Sequence, residues 1–265
     1  PLWKGTGSVL DVRCLSILEA IETCQDKSIN VAFLDPPYNT GNEKDKTVKY
    51  SRNKDLADKN WSNFQATWDT IPNYEKWAEE WMKALQPKMV ENGSVFVCGS
   101  YHNLPEIGVV AKRLEYYIVT MIAWCIPNSM PNLACTEMVH AVQGIYWLRP
   151  QMKKRHFYDK EASKRYNAGK NLRDYWLINN DTTSGRGMAW RKHKSKKPVA
   201  LVQRAIDITL PKESGVQVVD FFAGSGTTGV AVQNLEKLYG IQIGGVLSDR
   251  DEGYIAAVNE RLAVV

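Results

Sequence analysis

Short apolar runs alternate along the chain with stretches whose apolar residues recur every three or four positions. Residues 30–35 (NVAFLD) form an apolar run that stops at a carboxylate and two prolines, as a buried strand with a sharp end does. Residues 74–90 carry Trp77, Trp81 and Leu85 at four-residue spacing, which predicts an amphipathic helix stopped near Asn92-Gly93. A strand at 94–98 and a helix at 104–114 follow, the helix opened by Asn103 as its cap with Pro105 in the first turn. Residues 118–124 and 139–147 read as strands, and 198–210 as a helix begun at Pro198. A strand at 216–222, a helix at 227–238, a strand at 241–247 and a helix at 251–262 close the chain, while polar, lysine-rich residues 41–67 read as a mobile loop. Strands alternating with helices predict an α/β fold, a doubly wound and mostly parallel sheet with helices on both faces.

Composition narrows the classes. A hydrophobic content of 44% and nine tryptophans exclude a disordered chain, and 265 residues suit one large domain with a small insert. No run approaches the roughly 20 apolar residues of a membrane helix, and no charged-then-apolar leader is seen, so a cytoplasmic or nucleoid-associated protein is expected. Beginning at Pro1, the chain is expected to lack a few N-terminal residues. Cys14, Cys24, Cys98, Cys125 and Cys135 are odd in number without C-x-x-C spacing, which predicts buried reduced thiols and no metal site.

Charge is unevenly placed. The net +5 conceals a stretch, residues 149–197, holding 15 Lys and Arg against 4 acids; that +11 leaves −6 for the remainder. Phe157, Tyr158, Tyr166, Tyr175, Trp176 and Trp190 are interleaved with these cations. A solvated linker would not carry so many large rings, so the stretch is read as a polyanion-binding surface suited to phosphates and exposed bases.

Two motifs carry chemistry. Asp220-Phe221-Phe222-Ala223-Gly224-Ser225-Gly226-Thr227-Thr228-Gly229 runs from a strand end through a glycine turn into a helix, with Asp249 about 20 residues on at the next strand's end. The pattern G-x-G-x-x-G followed by a carboxylate suits an adenosine-containing cofactor. Only 36 residues follow Gly229, too few for the units a nicotinamide-binding fold builds after this motif. The second motif, Asp35-Pro36-Pro37-Tyr38-Asn39-Thr40-Gly41, also ends a strand, and consecutive prolines hold the carboxylate, the Pro36 carbonyl and the Tyr38 ring in fixed relation.

With both motifs in this order, the chain resembles the β-group of S-adenosylmethionine-dependent amino-methyltransferases acting on DNA, which place D-P-P-Y before the glycine motif. Four ordered segments carry the likeness over nearly the whole chain: the strand into Asp35-Pro36-Pro37-Tyr38-Asn39, the H-x-x-x-K-P-x-x-L pattern from His193 through Lys197-Pro198 to Leu201, the motif from Asp220 to Gly229, and the closing helix from Tyr254. Phe221 stands for the family's proline, and its G-D pair ahead of the first helix reads Val12-Arg13, with Asp11 nearby.

The resemblance implies a Rossmann-like methyltransferase fold with permuted motif order, S-adenosylmethionine as cofactor and an exocyclic amine of DNA as acceptor. Residues 1–148 and 192–265 would form the catalytic body and 149–191 a basic target-recognition insert. Asp35, Pro36, Pro37 and Tyr38 would be catalytic, Asp35 and the Pro36 carbonyl accepting the amine's N–H bonds while Tyr38 stacks on a flipped base. Asp220, Phe222, Ala223, Gly224, Ser225, Gly226, Thr227, Thr228, Asp249, Lys197 and Asp35 would line the cofactor site, with Asp249, or as second choice Asp251, on the ribose and Lys197 toward the cofactor's carboxylate. Lys153, Lys154, Arg155, Arg165, Arg173, Arg186 and Arg191 would contact DNA. The motif D-P-P-Y-N-T-G is most like adenine-N6 enzymes; cytosine-N4 transfer is the alternative, ahead of a silent DNA-binding module, an NAD-dependent oxidoreductase and RNA as substrate. A homodimer and a cognate restriction nuclease are the partners the family suggests.

Overall fold

The structure, a computed structural model, describes residues 10–40, 69–131, 136–181 and 196–264. The loop expected at 41–67, together with Cys135, Arg186, Trp190, Arg191 and His193, lies outside them. In chain order the elements are β1 (Leu10–Cys14), α1 (Ile17–Glu22), β2 (Ile29–Leu34), α2 (Tyr74–Leu85), β3 (Met89–Gly99), α3 (Leu104–Arg113), β4 (Tyr117–Cys125), β5 (Val142–Arg149), α4 (Lys160–Arg165), β6 (Tyr175–Leu177), α5 (Val199–Asp207), β7 (Val216–Val219), α6 (Thr227–Tyr239), β8 (Ile243–Asp249) and α7 (Glu252–Leu262).

The strands form one sheet in the order β1-β8-β7-β2-β3-β5-β4-β6, with β5 alone antiparallel to its neighbours. The continuous apolar run of β2 has a simple cause: both of its faces are covered. Val31 and Phe33 pack with Leu201 and Val202 of α5 and Ala231 of α6, whereas Ala32 and Leu34 pack with Trp81 of α2 and Ile107 of α3. Burying each such large side chain stabilises the fold by about 1.5–3 kcal/mol.

From β2 the chain passes through α2 to β3 on one side, and from β7 through α6 to β8 on the other. Adjacent strands whose connections leave in opposite directions open a crevice beyond their carboxyl ends, where ligands bind in such sheets. Asp35 follows β2 and Asp220 follows β7, so the two sequence motifs meet at this crevice.

Several elements differ from the sequence pattern. Helix α2 ends at Leu85, because Pro87 offers no N–H to continue it; a short 3-10 turn over Gln86–Lys88 leads into β3, which runs through Asn92-Gly93. β1, α4 and β6 carry no periodic signal long enough to predict them. The last two come from the basic stretch: β6 pairs with β4, and Trp176 is buried in the main core. Of the cysteines, Cys24 and Cys98 are buried as expected, but Cys14 is exposed at the end of edge strand β1 and Cys125 is half-buried. No helix among the described residues is long and apolar enough to cross a membrane.

Candidate active site

The crevice is a cleft of about 960 Å³. Its first wall is the turn after β2. Lys197 Nζ donates to Asp35 Oδ2 at 2.6 Å, and the Tyr38 hydroxyl lies 3.1 Å from Asp35 Oδ1 and 3.0 Å from Gln143 Oε1. Burial, then the neighbouring Asp35 charge, pushes the Tyr38 hydroxyl well above its ordinary range, so the phenol stays neutral. The turn is braced from behind. Tyr74 donates to the Pro37 carbonyl at 2.8 Å and is met by Asn103 Nδ2 at 3.2 Å. Asp69, itself buried, accepts from the backbone N–H of Asn39 at 2.8 Å and from the Thr40 hydroxyl, while Asn39 Oδ1 accepts from Ile71 at 2.8 Å. Asn39 and Thr40 therefore lock the turn that presents Asp35.

The second wall is the glycine turn between β7 and α6. Gly226 caps α6 at φ +75°, a backbone that side chains disfavour. Farther along, Gly229 lets the helix lie close to the sheet: a Cβ there would come within 2.9 Å of the end of the Leu247 side chain in β8. Asp220 accepts from the Thr228 hydroxyl at 2.5 Å and from the Phe222 N–H at 2.9 Å; burial nevertheless pushes its carboxyl up to about 7. Asp249 accepts from the Gly224 N–H at 3.0 Å and the Asp251 N–H at 3.1 Å, and burial raises it too. Phe222 points between Trp77 and Trp81 of α2, with ring centroids 6.0 and 6.3 Å away.

Asp35, Pro36, Pro37, Tyr38, Lys197, Asp220, Phe222, Ala223, Gly224, Ser225, Thr227, Thr228 and Asp249 all line the cleft, and Gly226 lies within the same turn. Lys197, expected toward a cofactor carboxylate, lines the cleft and pairs there with Asp35. Sequence reasoning missed Gln143, Tyr74 and Asn103, and also Arg261, which reaches from α7 beneath the glycine turn to Ser225 O at 2.9 Å and Thr227 Oγ1 at 3.0 Å. No local motif marks these residues; Tyr74 and Asn103 stand out only as a polar atom on a core face and a helix cap.

The cations of the basic stretch divide. Arg149 ends β5 beside Tyr117, where β4 begins, and the Phe157 N–H donates to Asn92 O near the start of β3. Lys153, Lys154 and Arg155 lie between these anchors, along the amino edge of the sheet and opposite Asp35; Lys154 pairs with Glu91 at 3.0 Å. Arg165 is turned inward to the fully buried Asp207 at 2.9 Å. Burial alone would raise the Asp207 carboxyl, but hydrogen bonds from Tyr239, Tyr166 and Lys212 outweigh it and hold it low. Arg173 stands at the outer margin of the sheet over the Tyr175 ring. None of these five lines the cleft. Among the described residues, the stretch reaches the carboxyl edge as β6 ends at Leu177 and lines the cleft at Asn180 and at Lys196, which pairs with Asp181 at 3.7 Å; Arg186 and Arg191 lie between Asp181 and Lys196 in the sequence. Trp176 is in the core and Tyr166 bonds Asp207 at 2.7 Å, so neither ring is free to stack on bases.

The sequence profile of a family described as DNA methylase matches residues 29–249. The chain is 30% identical to type II methyltransferase M2.MboI of Moraxella bovis over 218 residues, 81% of this chain and 76% of that one. It is also 30% identical to type II methyltransferase M2.DpnII of Streptococcus pneumoniae over 241 residues, 89% and 83% of the two chains. The M1.HpyAVI–SAM complex shares the fold with a TM-score of 0.66 at 21% identity, covering 96% of this chain and 99% of that one. The cytosine-N4-specific PvuII DNA methyltransferase does so with 0.70 at 19%, covering 97% and 87%. With D-P-P-Y and the glycine turn facing each other across one cleft, and a profile match from β2 to the end of β8, the chain belongs to the DNA methylase family.

Proposed function

We propose that the chain transfers a methyl group from S-adenosylmethionine to the N6 amine of an adenine swung out of duplex DNA. The observation that carries this reading is that Asp35 and the glycine turn, 185 residues apart at Asp220, line one cleft at the switch point of the sheet. The donor set fits a cationic cofactor. Asp35, Asp69, Asp220, Asp249 and Asp251 line the cleft against Lys196, Lys197 and Arg250, an acidic excess in a chain that is basic as a whole. A sulfonium with an ammonium group suits such a lining, and the pyrophosphate of a dinucleotide opposes it.

When bound, the cofactor supplies an electrophilic methyl group. The chain's own residues deal with the amine, a poor nucleophile because its lone pair is delocalised into the ring. Asp35 and the Pro36 carbonyl accept its two N–H bonds, which favours a pyramidal nitrogen whose lone pair faces the methyl group. Tyr38 stacks on the base, and Asp249 accepts from the ribose. This is positioning and electrostatic stabilisation with no covalent enzyme intermediate. Fold likeness does not choose the base, since a cytosine-N4 enzyme shares it; Asp35 at the head of D-P-P-Y-N-T-G supports adenine.

The DNA reaches Asp35 from the carboxyl edge. In this reading Arg186 and Arg191, whose chain flanks stand at that edge, contact phosphate, and the body extends over the described part of 149–181. A second copy and a cognate restriction nuclease complete the proposal; sedimentation, and protection of modified DNA from digestion, test them. The deciding experiment is nucleoside mass spectrometry of mixed-sequence DNA after incubation with S-adenosylmethionine. N6-methyladenine is expected; N4-methylcytosine without it overturns the choice of base, and no methylated nucleoside overturns the reading.

A further inference from the structure

Both carboxylate oxygens of Asp35 already have partners: Oδ2 has Lys197 Nζ at 2.6 Å and Oδ1 has the Tyr38 hydroxyl at 3.1 Å. The target amine must reach this same carboxylate. The Tyr38 hydroxyl has one proton and two acceptors at nearly equal distance, Asp35 Oδ1 and Gln143 Oε1 at 3.0 Å. Gln143 is the second residue of β5, held by strand pairing to Trp124 of β4, and it lines the cleft. Nothing in D-P-P-Y or the glycine motif calls for an amide here.

We propose that Gln143 is a positioning residue that takes over the Tyr38 hydroxyl proton when the target amine engages Asp35. Rotation about one C–O bond turns the proton from Asp35 to Gln143, so both acceptor sites of Oδ1 are free for the amine while the Tyr38 ring keeps its place for stacking. No bond to carbon changes and the phenol stays neutral throughout. Without Gln143, opening Oδ1 would leave a buried hydroxyl with no acceptor. That cost falls on the complex in which the amine is held, and it slows methyl transfer without loosening the resting cofactor or DNA complexes.

The inference rests on the methyl-transfer reading, and the test separates the two. In Gln143→Leu, which keeps the bulk and removes the acceptor, the single-turnover methylation rate is expected to fall roughly 5- to 150-fold, the equivalent of about 1–3 kcal/mol. Dissociation constants for cofactor and DNA should stay within about twofold. Tyr38→Phe, although itself impaired, has no proton to relocate, so adding Gln143→Leu to it should cost nothing further. Gln143→Ala, with thermal unfolding of each variant, guards against misfolding by Leu. An unchanged rate in both Gln143 variants, or a further loss when Gln143→Leu is added to Tyr38→Phe, overturns the inference while wild-type methylation stands. A wild-type chain that transfers no methyl group overturns both.

Discussion

The Lys197–Asp35 pair joins the two halves of the site, since Asp35 follows β2 and Lys197 lies just ahead of α5, its carbonyl accepting from the Thr227 hydroxyl at 3.1 Å. The side chains are 9% and 20% exposed, so bulk water screens them little. At 2.6 Å and an effective dielectric of about 20, their attraction is roughly 6 kcal/mol before the cost of desolvating either group. Replacing one member leaves the other charge without its main partner in the cleft, which costs about 3–5 kcal/mol, whereas replacing both is close to neutral. Lys197→Met should therefore lower the thermal midpoint by at least about 6 °C, taking roughly 2 °C per kcal/mol for a chain of this size. Asp35→Asn should do much the same, and D35N/K197M should recover most of the loss. Circular dichroism melts of the four proteins at pH 7.5 close the cycle. Additive losses, or a Lys197→Met midpoint within about 1 °C of wild type, would refute the claim that the pair, rather than two independently placed charges, sets the site.

Four other outcomes follow from the geometry. Asp220 has a folded-state carboxyl raised from 3.8 to about 7; its contribution to stability is present below about pH 4 and is lost as pH rises to about 7. In urea unfolding between those values, Asp220→Asn should gain on wild type by on the order of 4 kcal/mol, and parallel stability curves would contradict this. Gly229→Ala would place a methyl 2.7 Å from Leu262 and 2.9 Å from Leu247, both ends of side chains that can turn aside, inside a helix that favours alanine by about 1 kcal/mol; stability in the same assay should change by no more than about 1 kcal/mol, and a larger loss would show that the leucines cannot give way. Arg261→Met removes the guanidinium that holds the Ser225 carbonyl and the Thr227 hydroxyl, so calorimetry should show cofactor affinity weakened about tenfold, with DNA affinity kept. Arg165→Ala uncovers Asp207 at the far end of the sheet; it should lower the thermal midpoint and leave DNA affinity within about twofold, while Arg186→Ala and Arg191→Ala weaken DNA binding in a salt-dependent way.

What was legible in the chain was what physical constraints make local. β2 had to be apolar throughout because helices cover both of its faces, and its end is abrupt where two prolines turn the chain away from the sheet and leave Asp35 at the cleft; both facts are written in one decapeptide. The glycine turn was legible for the same reason, since a left-handed backbone at Gly226 favours glycine whatever lies elsewhere. The parts that escaped depend on register between distant segments. Gln143 meets Tyr38 across 105 residues only because β5 is paired with β3 and β4 in one alignment; a shift of one residue would turn Gln143 to the opposite face of the sheet. Charge counting could not place the cations of the basic stretch for a related reason. A sum over residues 149–197 treats every cation as facing outward, yet the chain there travels from the amino edge of the sheet to its carboxyl edge, giving Arg165 to a buried aspartate and Trp176 to the core on the way. On the proposed approach of DNA to Asp35's end of the sheet, the charges of the stretch at that end are the ones placed to meet phosphate, and their sum says more than the total.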